Sequence, residues 1–119
     1  MDGARLTRRA RITRAADFEA VFADSIRCSG GGLVVLACHN GLGFSRLGLA
    51  VSRRAIRRAV DRNRIKRLIR ESFRLNRERL GPMDYVVLAK PGLEKQDNRR
   101  IYHTLERHWQ EINARCNGC

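Results

Sequence analysis

A chain of 119 residues with 25 basic and 12 acidic side chains carries a formal charge of +13, while 43% of it is hydrophobic. That size suits one domain around a single modest core, and the apolar content is high enough that the charge does not signal disorder. The longest apolar runs, near residues 33–38 and 85–89, are far too short to cross a bilayer, and none follows the N-terminal arginines as a secretory leader would require. A soluble, cytoplasmic protein without membrane association is expected.

The first dozen residues (MDGARLTRRARI) are basic and aperiodic, which predicts an extended arm over 1–12. Thr13 then opens a short helix to about Asp24, with Phe18, Val21 and Phe22 on one side at i, i+3 and i+4. Residues 29–32 (SGGG) break the chain, and 33–38 (LVVLAC) reads as a strand. Turn residues Asn40, Gly41 and Gly43 follow, then a second strand over 47–52 (LGLAVS), and the two suggest an antiparallel hairpin. A long helix is predicted over 57–79, stopped by Gly81 as a left-handed cap and by Pro82. A third strand covers 84–90, closed by Pro91 and Gly92. Asp97 or Asn98 caps a last helix, whose apolar seam is Ile101, Leu105, Trp109 and Ile112. Residues 113–119 are expected to fray. The sum is an α+β fold in a single domain, a sandwich of helices on a small sheet.

The charge is concentrated. Residues 53–79 hold 12 basic side chains against Asp61, Glu71 and Glu78, supplying +9 of the total +13. On the long helix, Ile65, Leu68, Ile69, Ser72 and Phe73 share the face that must meet the sheet. Opposite lie Asn63, Arg67, Arg70, Arg74 and Arg77 at spacings of 4, 3, 4 and 3, a row along ~20 Å of axis, flanked by Arg64 and Lys66. Like charges at these spacings repel, each pair costing a few tenths of a kcal/mol, and an ordinary solvated face would interleave acids with bases. Such a ridge fits a bound polyanion, and in a small protein that points to nucleic acid. Of the 25 basic residues, 22 are Arg. That ratio suits phosphate recognition, and equally a GC-rich codon usage, so by itself it decides nothing.

Phe18 and Phe22 read either as core or as platforms on which single-stranded bases stack beside basic groups. Catalysis by the chain itself has little support. His39, His103 and His108 are scattered, and neither a nucleophile with its base nor a phosphate-cradling glycine loop is present. The four cysteines, Cys28, Cys38, Cys116 and Cys119, have no framework spacing. Cys116-x-x-Cys119 is half a zinc motif without its other half. No catalytic residue and no metal site is therefore assigned.

The run GLAVSRRAIRRAVDRNRIKRLIRESFR over 48–74, centred on Arg62-Asn63-Arg64, resembles the signature of the bacterial ribonuclease P protein subunit. Arg11-Ile12 with Asp17-Phe18 and Val21-Phe22 resembles that family's N-terminal segment, and Asp84-Tyr85-Val86-Val87 its strand after the long helix, so the likeness spans roughly 5–112. The resemblance implies a two-layer α/β sandwich like the second domain of ribosomal protein S5, with a mixed sheet and a left-handed β-α-β crossover. It implies the protein partner of a catalytic RNA that removes the 5′ leader of precursor tRNA, the RNA holding the active-site Mg²⁺ and the protein alone binding no cofactor. Arg62, Asn63, Arg64, Lys66, Arg67, Arg70 and Arg74 are then expected on the catalytic RNA. Phe18, Phe22, Arg11, Arg53 and Arg54, with Arg46 and Lys90 as weaker candidates, are expected along the leader cleft. The protein is expected to be monomeric.

Two departures stand out. Many members carry an aromatic on the strand where this chain has Leu-Val-Val-Leu at 33–36, so one stacking contact is missing. Residues 55–58 resemble a subgroup with extra basic side chains. The alternative is a ribosomal or other structural RNA-binding protein with no role in cleavage, and a self-sufficient nuclease is a third reading.

Overall fold

The structure, a computed structural model, describes residues 10–117. Helix α1 (Ala15–Ala23) is followed by strands β1 (Ile26–Gly30), β2 (Leu33–His39) and β3 (Arg46–Ala50). Helix α2 (Ala59–Asn76), strand β4 (Met83–Ala89), a 3-10 turn (Leu93–Lys95) and helix α3 (Asn98–Asn117) complete the chain. The expected α+β architecture is present, with three α-helices on a four-stranded mixed sheet among the described residues.

The predicted hairpin between residues 33–38 and 47–52 does not form. The sheet order is β1-β2-β4-β3, so β4 separates those two strands. It pairs antiparallel with β2 and parallel with β3, making β3-α2-β4 a β-α-β unit. The hairpin partner of β2 is β1, which the sequence hid behind the SGGG breaker. Gly31 and Gly32 have φ of 64° and 85°, the positive values that a two-residue primed turn requires. What looked like a break is the tip of the hairpin, with Gly30 opposite Leu33.

Central strands β2 and β4 are covered on both faces, which explains their unbroken apolar runs. One face packs Leu33, Val35, Ala37, Tyr85 and Val87 against α2 and α3. There Phe73, Tyr85 and Trp109 meet edge-on with ring centroids 5.8–5.9 Å apart. The indole N–H of Trp109 donates to Ser72 Oγ at 2.9 Å, so both buried polar groups are satisfied there. The other face packs Val34, Leu36 and Val86 against Val21 and Phe18 of α1.

The expected helical seams hold. Ile65, Leu68, Ile69, Ser72 and Phe73 of α2 are buried, as are Ile101, Leu105, Trp109 and Ile112 of α3. Boundaries shift. Helix α1 begins after Arg14, so Thr13 is not its cap. Helix α2 unwinds through Arg77, and Gly81 does not take the left-handed conformation. Asp97 caps α3, its carboxylate accepting from the Arg100 amide at 2.8 Å. α3 extends to Asn117. Residues 1–9 of the arm and Cys119 lie outside the described residues. The end of the arm runs beside β3: Arg11 bridges Leu47 in parallel, and the Ile12 amide donates to Leu47 O at 2.9 Å.

Candidate nucleic-acid interface

The face of α2 turned from the sheet presents the predicted row. Asn63, Arg67 and Arg70 are exposed and Arg74 and Arg77 half-buried. The side chains of Asn63, Lys66, Arg67, Arg70 and Arg77 make no hydrogen bond or ion pair with any described residue. Burial is what limits Arg74, whose Nε is enclosed without a hydrogen-bond partner. Beside it, burial first, and then a hydrogen bond to Glu71, push the Tyr102 hydroxyl above its usual value, so the one acid within the row is engaged by α3.

Arg62 and Arg64 stand apart from this row. Arg62 Nη1 donates to Ile56 O at 3.0 Å and Arg57 O at 2.8 Å, fastening the loop before α2 to the helix. Arg64 reaches the other way. Its Nη2 donates to Glu94 O at 2.8 Å, and its Nη1 to Asn98 Oδ1 at 2.7 Å and Gln96 O at 3.4 Å. Its guanidinium thus ties α2 to the 3-10 turn and the start of α3. Arg64→Ala is expected to lower the unfolding free energy by ~1–3 kcal/mol, with little recovered by Arg64→Lys, because an ammonium cannot span three separated acceptors. Urea denaturation of the two variants checks this.

The leader set also divides. Phe18 lies over β3, where a Cβ at Gly48 would come within 2.7 Å of its ring. Only glycine lets the ring settle that closely. Phe22, one turn later, is 51% exposed, so the two phenylalanines that looked equivalent have different surroundings. Arg53 and Arg54 follow β3, and Lys90 follows β4. Because those strands run parallel, all three gather at one end of the sheet, exposed. Arg46 sits at the opposite end and is committed to the protein. Its Nε and Nη2 donate to the two oxygens of buried Asp84 at 2.8 and 2.6 Å, and its Nη1 lies 3.5 Å from Asp17 of α1. These hydrogen bonds hold the Arg46 guanidinium above its ordinary value.

One cavity joins the two sets. A cleft of about 230 Å³ opens where residues 11–13 run beside β3, lined by Arg11, Thr13, Phe18, Leu49, Lys66 and Arg70, with Ile12 and Leu47 completing its floor. Its wall is apolar and its rim cationic. Burial against that wall, and next the charge of Arg11, pull Arg70 below its ordinary value, although an arginine stays protonated. The apolar floor escaped the sequence reading because it depends on the pairing of Arg11 with Leu47, 36 residues apart. Among the described residues, no group of three His, Cys, Asp or Glu side chains could hold a metal ion. Among the described residues, no helix is long and apolar enough to cross a membrane.

Against known families, the ribonuclease P model matches residues 6–113. The chain belongs to the ribonuclease P protein family. The ribonuclease P protein component of Methylococcus capsulatus is 48% identical over 108 residues, covering 91% of this chain and 84% of the relative. That of Chromohalobacter salexigens is 46% identical over 106 residues, covering 88% and 83%. Among solved structures, the RNase P protein of Staphylococcus aureus superposes with a TM-score of 0.79 at 32% identity, over 87% of this chain and 94% of that one. The Thermotoga maritima RNase P protein gives 0.75 at 29% identity, over 85% and 96%. As a ribonuclease P protein component, the chain is part of a tRNA-processing endoribonuclease and works with an RNA subunit.

Proposed function

We propose that this ribonuclease P protein docks on the catalytic RNA through the outer face of α2 and holds the 5′ leader of precursor tRNA along the cleft beside it. Asn63, Lys66, Arg67, Arg70 and Arg74 form the RNA-facing set. Arg62 and Arg64 serve that face mainly by positioning the helix. Leader contacts fall to Phe18 and Arg11 in the cleft, to the exposed ring of Phe22, and to Arg53, Arg54 and Lys90 at the end of the sheet. Arg46 supports the fold beneath them. The RNA carries the Mg²⁺ ions and the phosphodiester hydrolysis. The protein acts in the cytoplasm as a single chain in the complex.

The observation that carries this reading is the cleft, where an apolar wall suited to a base meets Arg11, Lys66 and Arg70, suited to phosphate. Arg11 and Arg70 repel each other there, and an anion between them would relieve that repulsion. The test is reconstitution. The purified protein alone should leave precursor tRNA intact, and with the catalytic RNA at low Mg²⁺ it should restore cleavage at the mature 5′ end. Cutting by the protein alone would establish a nuclease in its own right. Failure to stimulate the RNA would favour a structural RNA-binding protein.

A further inference from the structure

Helix α3 has three sides accounted for. Its seam is in the core. Thr104 and His108 lie against the β1–β2 turn, His108 Nε2 being 3.0 Å from Gly30 O. Tyr102 and Glu106 face α2, where Glu106 accepts from Asn76 Nδ2 at 2.7 Å. The fourth side carries Arg99, Arg100, His103 and Arg107, all exposed. Arg99, His103 and Arg107 stand at i, i+4 and i+8, a row of ~12 Å. No side chain of these three arginines makes a hydrogen bond or ion pair with a described residue. Two further acids are nearby: Glu111 is held by Arg115 at 3.0 Å and by Cys28 Sγ at 3.2 Å, and Asp97 accepts from the Arg100 amide at 2.8 Å as the helix cap.

This row is not isolated from the α2 ridge. Arg64 meets Asn98 at one end of the pair, Trp109 meets Ser72 further along, and Asn113 meets Arg79 at the other end, so α2 and α3 lie side by side in the same direction. Packed helices sit ~8–10 Å apart, within the reach of long side chains on both. We propose that the outer face of α3 is a second phosphate-binding line for the RNA subunit, so that one folded RNA is gripped by two parallel cationic rows. This rests on the reading that α2 docks on that RNA.

The occupant is the backbone of the RNA subunit. It is not the leader, because α3 packs over β1 and β2 while the cleft lies along β3, at the other edge of the sheet. A protein partner is disfavoured by chemistry. Among the described residues the exposed large hydrophobic ones are Phe22, Leu42, Val60 and Leu75, none of them on α3, whereas protein interfaces centre on apolar anchors. A row of unpaired arginines without such an anchor suits phosphates, which position an RNA without reading its bases.

The test uses the full chain with Arg99→Gln and Arg107→Gln together, titrated against purified catalytic RNA over a series of salt concentrations. Loss of two phosphate contacts should reduce the slope of log K against log salt by ~1.4–1.8. Affinity at low salt should fall about tenfold or more, while Arg99→Lys with Arg107→Lys keeps the wild-type slope. Binding of leader-bearing precursor by holoenzyme assembled at saturating protein should not change. If the Gln variant keeps the wild-type slope while wild type binds tightly, the α3 line is only a solvated face and the proposal falls. If wild type itself does not bind the RNA, the reading of α2 falls with it.

Discussion

Replacing Arg67 and Arg70 together by alanine is expected to weaken binding to the catalytic RNA by ten- to a hundred-fold at moderate salt, leaving the fold intact. Both side chains are exposed and make no hydrogen bond or ion pair with a described residue that their loss would break. Surface changes of that kind usually alter stability by less than about 0.5 kcal/mol. Removing Arg70 also takes away a charge that Arg11 opposes, which should offset part of any packing loss at the cleft wall. A charge-assisted contact to phosphate is worth ~1.5–3 kcal/mol before salt screening, so two partly screened contacts give the range stated. Filter binding and thermal melting of the same preparation check both halves. Unchanged affinity would remove the α2 face from the interface, and a large fall in melting temperature would make these residues structural.

Arg46→Ala should do the reverse. Asp84 is 4% exposed and would be left as a buried carboxylate with only Asn40 Nδ2, at 2.8 Å, for company. Losing one partner of a buried pair costs about 3–5 kcal/mol, and the residual Asn40 bond places this case near the lower end. For a domain of this size, ~3 kcal/mol corresponds to a drop of about 10 °C or more in melting temperature. Arg46→Met with Asp84→Leu should recover much of the loss, because no buried charge then remains. Denaturant titration of the single and paired variants measures this. A single variant that kept its stability but lost leader affinity would return Arg46 to the RNA-contacting set.

The contrast between these arginines marks where the sequence was legible. Periodicity found both helical seams because the information is local: Ile65 to Phe73 and Ile101 to Ile112 each declare a face within a few turns. The exposed row of α2 followed as the opposite side. Partners distant along the chain were another matter. Nothing near Arg46 announces Asp84, 38 positions on, and nothing near Arg64 announces the carbonyls of Glu94 and Gln96. Both therefore looked like any other cation beside the motif. Strand pairing failed for the same reason, since neighbouring apolar runs suggest a hairpin whether or not a later strand comes between them. Strand β1 was missed because IRCSG is short, half polar and ends on glycine. The family likeness supplied what local pattern could not, the family to which the Arg62-Asn63-Arg64 run belongs.

The place of β4 in the sheet has a consequence for synthesis. Among the described strands it is the last to be made, yet it lies between β2 and β3 and alone binds both. While the ribosome is still translating upstream of residue 83, β3 has no neighbouring strand except the short segment at Arg11, and α2 has half a surface to rest on. Assembly of the domain therefore waits for a late and distant event, as high contact order demands. Until then the cationic segment 53–79 lacks the strand that completes the sheet beneath it.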